Sequence, residues 1–226
     1  MSAYQADYVK EKYDSSKHMG FYYELAFRDL YPSPPMCDCQ ATTKVPNNGT
    51  STYHEDFTFQ CGSVKKNKWM HMNTDISMTP TDGKTTGVWA QEMQKVRMDW
   101  PTDFTIPVSG VAFHTTIVAF KESSDPADSQ YDWVIEFTCG EDSGSFLANL
   151  LFDHFFPGGF VGINMYSKKG PHDSNNLNEM IEEAKSLGLA WTMDDWGWGF
   201  HKVPHNSTCK YDFGPHNYSQ EQLEEL

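Results

Sequence analysis

Five cysteines, Cys37, Cys39, Cys61, Cys139 and Cys209, carry the most reactive side chains of the 226-residue chain. An odd number allows at most two internal disulfides and leaves one thiol free or paired between chains. Such a thiol is a nucleophile where its surroundings lower its pKa, and buried in apolar surroundings it is inert. Cys37 and Cys39 do not form a zinc knuckle, because strand alternation directs both to one face without the two-residue gap. His201 and His205 stand four apart, but Pro204 between them breaks the helix that would align them. No metal site is expected. Neither a glycine-rich phosphate loop nor a hydrolase nucleophile elbow is present. Glu24 and Arg28 share a strand face with Tyr22, where they pair with each other or hold the polar end of a ligand, since a buried carboxylate needs a partner. The chemistry this residue set supports is binding rather than catalysis.

The elements that must position these groups are strands. Aromatic residues make up 15% of the chain, which favours strands and supplies bulk for a core. Turn signals at Asn48-Gly49, Asp82-Gly83 and Ser109-Gly110 separate short strands, predicted over 39–45, 51–61, 68–78, 86–96, 105–106 and 111–120. In Gly20-Phe21-Tyr22-Tyr23-Glu24-Leu25-Ala26, alternation puts Tyr22, Glu24 and Ala26 on one face and Phe21, Tyr23 and Leu25 on the other. On the strand ending at Cys61, the inward set is Tyr53, Glu55, Phe57, Phe59 and Cys61. Met70 and Met72 follow, then Trp89 and Phe113. Methionine makes a soft lining for an apolar ligand, and it fills core gaps as readily. Residues 1–19 are an N-terminal extension running outside the barrel, 20–210 one barrel domain and 211–226 an acidic tail. The balance of 17 basic against 31 acidic residues, net charge -14, repels phosphate backbones and anionic membranes.

The stretch His18 to Ala26 resembles the opening motif of the lipocalin family, nearest its bilin- and carotenoid-binding members, with Tyr22 where the family has tryptophan. Gly162-Ile163-Asn164-Met165-Tyr166-Ser167-Lys168-Lys169 resembles the family's closing strand, and Tyr131 to Cys139 its penultimate one. The resemblance implies an all-β fold with minor α: an eight-stranded antiparallel up-and-down barrel, a C-terminal helix packed outside and a short inserted helix. It also implies barrel closure by Gly20, Tyr22 and Lys168, the lysine stacking over the tyrosine ring where the family uses arginine. Cys39 or Cys37 would reach Cys209, and Cys139 a cysteine near the start of the barrel. Cys61 would then be left as a thiol in the cavity, a candidate nucleophile or pigment attachment point. The implied function is binding or transport of a small hydrophobic ligand, either a pigment such as a carotenoid, bilin or chlorophyll derivative, or a lipid, with no obligatory cofactor. Tyr22, Glu24, Ala26, Phe57, Phe59, Cys61, Met70, Met72, Trp89 and Phe113 would line the site.

Two other readings stay open. One is an enzyme of the same fold, similar to the xanthophyll de-epoxidases or the prostaglandin synthase. The other is a structural subunit of a luminal or membrane-associated complex. The second draws on the apolar insertion 145–160, where Phe146, Leu147, Leu150, Leu151 and Phe155 recur at helical spacing and form a lid, a docking helix or a self-packed stripe. It also draws on the tryptophan-rich stretch 191–200, expected as an extra strand on the barrel. Ser174 caps the clearest helix, 175–187, whose stripe is Leu177, Met180, Ile181, Ala184 and Leu187, and Gly188 stops it. No run of about 18 apolar residues spans a membrane. Sequons at Asn48, Asn206 and Asn217, with the cysteines, point to a secreted or organelle-luminal location.

Overall fold

β-branched and aromatic alternation produces the expected strands. The computed structural model describes residues 4–28, 37–46, 53–63, 68–80, 87–98, 104–107, 112–140, 160–170, 174–193, 199–207, 209 and 211. Its strands are β1 (Gly20–Arg28), β2 (Cys37–Pro46), β3 (Tyr53–Ser63), β4 (Lys68–Pro80), β5 (Val88–Met98), β6 (Phe104–Pro107), β7 (Ala112–Lys121), β8 (Trp133–Gly140), β9 (Phe160–Ser167) and β10 (His201–Lys202). Among the described residues the sheet runs β1-β2-β3-β4-β5-β7-β8-β9, and β9 pairs back on β1 to close an eight-stranded antiparallel barrel. β6 forms a hairpin arm on β5.

Two cores follow from the two faces. The inner one gathers Tyr22, Tyr53, Phe57, Phe59, Trp89, Ile117, Val134 and Tyr166. It also takes Val9 and Tyr13 from the N-terminal segment, which contains helix α1 (Asp7–Lys12) and a 3-10 turn at Ser15–His18. Residues expected to run outside the barrel do so at Tyr4 and Tyr8, which pack on the outer core, and then turn in to seal one end: Val9 and His18 have no solvent exposure. Asp14 starts the turn by accepting from the Ser16 backbone N–H at 2.9 Å.

The outer core lies beneath helix α2 (Ser174–Ser186). Met180 and Ala184 of the helix pack with Leu25, Ala26, Trp133, Ile135, Ile163 and Met165, while Leu177, Ile181 and Leu187 flank them. The whole predicted stripe is therefore used. Gly188, with φ +82°, lets the chain turn back, and Leu189 N–H then bonds the Ala184 carbonyl at 3.0 Å. Ala26 corrects the alternation. The register of β1 against β9 shifts between Glu24 and Ala26, so Leu25 and Ala26 both join the outer core and Ala26 leaves the face of Tyr22 and Glu24.

β1 has different neighbours along its length on one side: β2 pairs with Gly20 to Tyr23, and β10 with Ala26 and Phe27. Residues 190–193, where the extra strand was expected to begin, form a 3-10 turn instead, 194–198 lie outside the described residues, and the two-residue strand β10 follows at His201–Lys202. Cys39, at φ +61° beside an irregularity in β2, donates its N–H to the Pro204 carbonyl at 2.9 Å and is disulfide-bonded to Cys209. That bond closes a loop of 170 residues, whose entropy the unfolded chain regains on reduction. Replacing both cysteines by serine is expected to lower the unfolding free energy by about 2–5 kcal/mol in urea titrations. A loss under about 1 kcal/mol would show that β10 pairing alone anchors the tail.

Candidate functional site

The sealed end of the barrel holds a group of ionisable side chains without access to water. Lys44 on β2 stands opposite Gly20 on β1 and Glu55 on β3, so its side chain points into the barrel. Its Nζ lies 2.9 Å from Glu55 Oε1 and 2.9 Å from Glu136 Oε1 of β8. The ammonium also sits over the rings of Tyr166 and Tyr53, 5.2 and 5.6 Å from their centroids. Thr42 donates its hydroxyl to Glu55 Oε1 at 2.6 Å. His18 Nε2 lies 3.4 Å from Glu136 Oε1, while its Nδ1 is 2.8 Å from the Tyr13 hydroxyl.

Burial and pairing compete at each of these groups. For Lys44 burial favours the neutral amine, but Glu136 and then Glu55 outweigh it and raise the pKa above its ordinary value. Glu136 is raised by burial to about 7, with Lys44 opposing and Glu55 adding to the shift. His18 is held neutral by burial and by the Lys44 charge. The floor therefore gains a negative charge as Glu136 releases its proton near neutrality.

Gly20, with φ +102°, allows the floor to close. A Cβ there would stand 2.9 Å from Gln130 Nε2, which donates to the Phe21 carbonyl at 3.0 Å. Tyr22 is fully buried, donates to the Lys17 carbonyl at 3.2 Å and meets the His18 ring at 5.6 Å. The expected Lys168–Tyr22 stacking is replaced. Lys168 is paired with Asp128, and its backbone N–H bonds the Asp132 carbonyl at 3.0 Å. The cation over tyrosine rings in the barrel is Lys44, and the covers over Tyr22 are His18 and Gln130.

Above the floor, Asn164 of β9 donates to Glu24 Oε1 at 2.7 Å, Thr115 and Thr138 share a 3.0 Å hydroxyl contact, and Phe57 and Phe59 lie 5.7 Å apart. Tyr53 meets Trp89 edge-on at 4.8 Å. Of the predicted lining, Tyr22, Glu24, Phe57, Phe59 and Trp89 are thus brought together and buried, whereas Ala26 faces outward. Cys61, Met70, Met72 and Phe113 are placed by backbone register alone: Cys61 opposite Met70, Phe59 opposite Met72, Gln91 opposite Phe113. Cys37 is the β2 register partner of Cys61, and Cys139, expected in a second disulfide, is half-buried on β8 opposite His114 and not disulfide-bonded. The docking candidates Phe146, Leu147, Leu150, Leu151 and Phe155, and Asn48 and Asn217, lie outside the described residues. Asn206 is exposed on the turn that leads to Cys209. His205 accepts or donates structurally, 2.8 Å from both the Glu24 carbonyl and the Tyr211 hydroxyl.

Lys44, Glu136, His18 and Tyr13 are absent from the sequence-based lining. The signal for Glu136 was available in the alternation of Trp133 to Cys139; that for Lys44 required the β1–β2 register. Among the described residues no group of three or more His, Cys, Asp or Glu forms a metal site.

A raised Glu136 pKa means that the folded chain keeps a proton which the unfolded chain, at an ordinary value near 4.5, has released. Its contribution to stability therefore falls as pH rises from about 4.5 to about 7, by an upper limit of about 3 kcal/mol. His18 acts oppositely, since burying it neutral costs more as pH drops below its ordinary 6.5. Urea unfolding at a series of pH values should show the stability difference, native chain minus Glu136→Gln, shrinking across that interval. Parallel profiles would refute the assignment of the proton to Glu136.

Neither a protein-family model nor a curated sequence matches the chain. Its architecture does match solved structures. Insecticyanin from the tobacco hornworm Manduca sexta superposes with a TM-score of 0.50 at 14% identity, over 88% of this chain and 85% of that one. A biogenic amine-binding protein superposes with a TM-score of 0.51 at 9% identity, over 96% and 91%. Identities this low speak to architecture alone, and with the closed antiparallel barrel, the sealed floor and the helix on its outer wall they show that this chain has the lipocalin fold.

Proposed function

We propose that the protein binds a small hydrophobic molecule inside its barrel, as a carrier rather than an enzyme. The observation that carries this reading is the division of the interior. One end is sealed by α1, His18 and a buried, ion-paired cluster. The next level up β3 is aromatic, with Phe57 and Phe59 buried on the inner face. Eight strands enclose space for about one small ligand. A shaped apolar interior with a few fixed polar groups is what such a ligand needs. One protein of the same fold carries amine binding in its description. Pigments and lipids both fit the apolar wall. The Cys39–Cys209 disulfide, with Cys39 buried, favours an oxidising compartment, either outside the cell or in an organelle lumen.

Titration with the neutral fluorophore N-phenyl-1-naphthylamine tests the reading directly. We expect saturable enhancement at one probe per chain, weakened about tenfold or more by Phe59→Asp, which puts a carboxylate against the apolar wall. A folded chain that gives no saturable signal would overturn it.

A further inference from the structure

Of the buried polar atoms without a hydrogen-bond partner among the described residues, which at the floor include His18 Nε2, Lys44 Nζ, Trp89 Nε1 and Glu136 Oε1, two lie on one face of β3 next to the apolar wall, and they specify a ligand. Glu55 Oε1 is fully engaged, by the Lys44 ammonium at 2.9 Å and the Thr42 hydroxyl at 2.6 Å. Glu55 Oε2 is buried and has no hydrogen-bond partner among the described residues. The Tyr53 hydroxyl, two residues earlier on the same strand face, is also buried and without a partner there. Both residues are at least 97% shielded from solvent, and Phe57, the next residue on that face, begins the apolar wall. Polar atoms placed this way cost desolvation until something bonds them.

We propose that Tyr53 and Glu55 form the polar end of the ligand cavity and take the head of an alcohol or an amine, while rejecting a carboxylate. The proposal rests on the carrier reading and adds the class of ligand. Paired with an ammonium, Glu55 is a carboxylate, which accepts hydrogen bonds and donates none. Its open oxygen therefore requires a donor. Tyr53 remains a neutral phenol, because burial and then the neighbouring Tyr13, Glu136 and Glu55 all oppose its ionisation. A hydroxyl meets both atoms by giving its proton to Glu55 and accepting from Tyr53, and an alkylammonium does so by donating to both oxygens. A carboxylate head would set a second negative charge against Glu55 in a medium of low dielectric. Lys44 Nζ makes no hydrogen bond among the described residues, but its charge is already matched by Glu55 and Glu136, each 2.9 Å away. Two carboxylates and two tyrosine rings already surround its ammonium.

The test uses the full chain and a matched series, decan-1-ol, decylamine and decanoate, displacing N-phenyl-1-naphthylamine at pH 8. The alcohol and the amine should bind at least tenfold more tightly than decanoate. Glu55→Gln, which places an amide where the carboxylate stood, should shrink that ratio to threefold or less. Tyr53→Phe keeps the Lys44–Glu55 pair and should weaken decan-1-ol about fivefold relative to the variant's own affinity for the probe, so it carries the test if Glu55→Gln does not fold. Decanoate binding as tightly as decan-1-ol, or a ratio unmoved by both substitutions, overturns the polar subsite while leaving the carrier reading intact if the probe still saturates. If neither the probe nor the series binds the folded chain, both readings fall together.

Discussion

An ammonium removed from water has a solvation debt of several kcal/mol even after the protein relaxes around it, and the burial of Lys44 imposes that debt on this fold. It is met from several directions at once. Glu55 comes from β3, Glu136 from β8, the Tyr166 ring from β9, and His18 from the N-terminal turn reaches Glu136. A slip of one residue in β2 would send Lys44 to the outside of the barrel and leave two buried carboxylates without their cation. Register is therefore fixed by charge as well as by the hydrophobic pattern. Specificity, more than net stability, is what such a buried pair supplies, because apolar residues of the same volume can stabilise a core equally well.

The N-terminal segment belongs to this same arrangement. His18 and Tyr13 stack against the floor, Tyr13 lies 6.0 Å from the Tyr131 ring, and the Asp14 backbone N–H is held by the Tyr131 hydroxyl at 2.7 Å. Tyr8 exchanges hydrogen bonds with the Phe120 backbone. What reads as a polar N-terminal extension thus contributes Val9, Tyr13 and His18 to the floor.

How much of this the amino-acid order reveals depends on whether the determining contact is local. The Gly20 to Glu24 alternation, the inward set Tyr53, Glu55, Phe57 and Phe59, and the stripe of α2 are set by periodicity within one element, and each is where periodicity puts it. The family resemblance implied Cys39–Cys209 as one of two alternatives, with Cys37 as the other, and Cys39 is the one bonded. Ala26 was misplaced because a bulge is decided by the partner strand. Lys168 was misplaced because its choice of Asp128 over Tyr22 depends on a loop folded back from elsewhere. Lys44 was overlooked for a related reason: a lone lysine in a strand reads as solvent-facing until β1, β3 and β8 are laid beside it.

The double pairing of β1 bears on how the chain is made. Its first residues can pair with β2 as soon as both have been synthesised, but Glu24 finds Asn164 on β9, 140 residues later. At about 5–20 residues per second, ribosomal synthesis leaves the far edge of β1 without its native neighbour for roughly ten seconds or more. During that interval a half-open sheet presents an unpaired aromatic strand to every other nascent chain nearby. Barrel closure, which in the finished molecule pairs β1 with β9, waits until Ser167 has been made, with α2, β10 and the Cys39–Cys209 bond still to come, and a chaperone that shields β1 until then would act at the stage of greatest exposure.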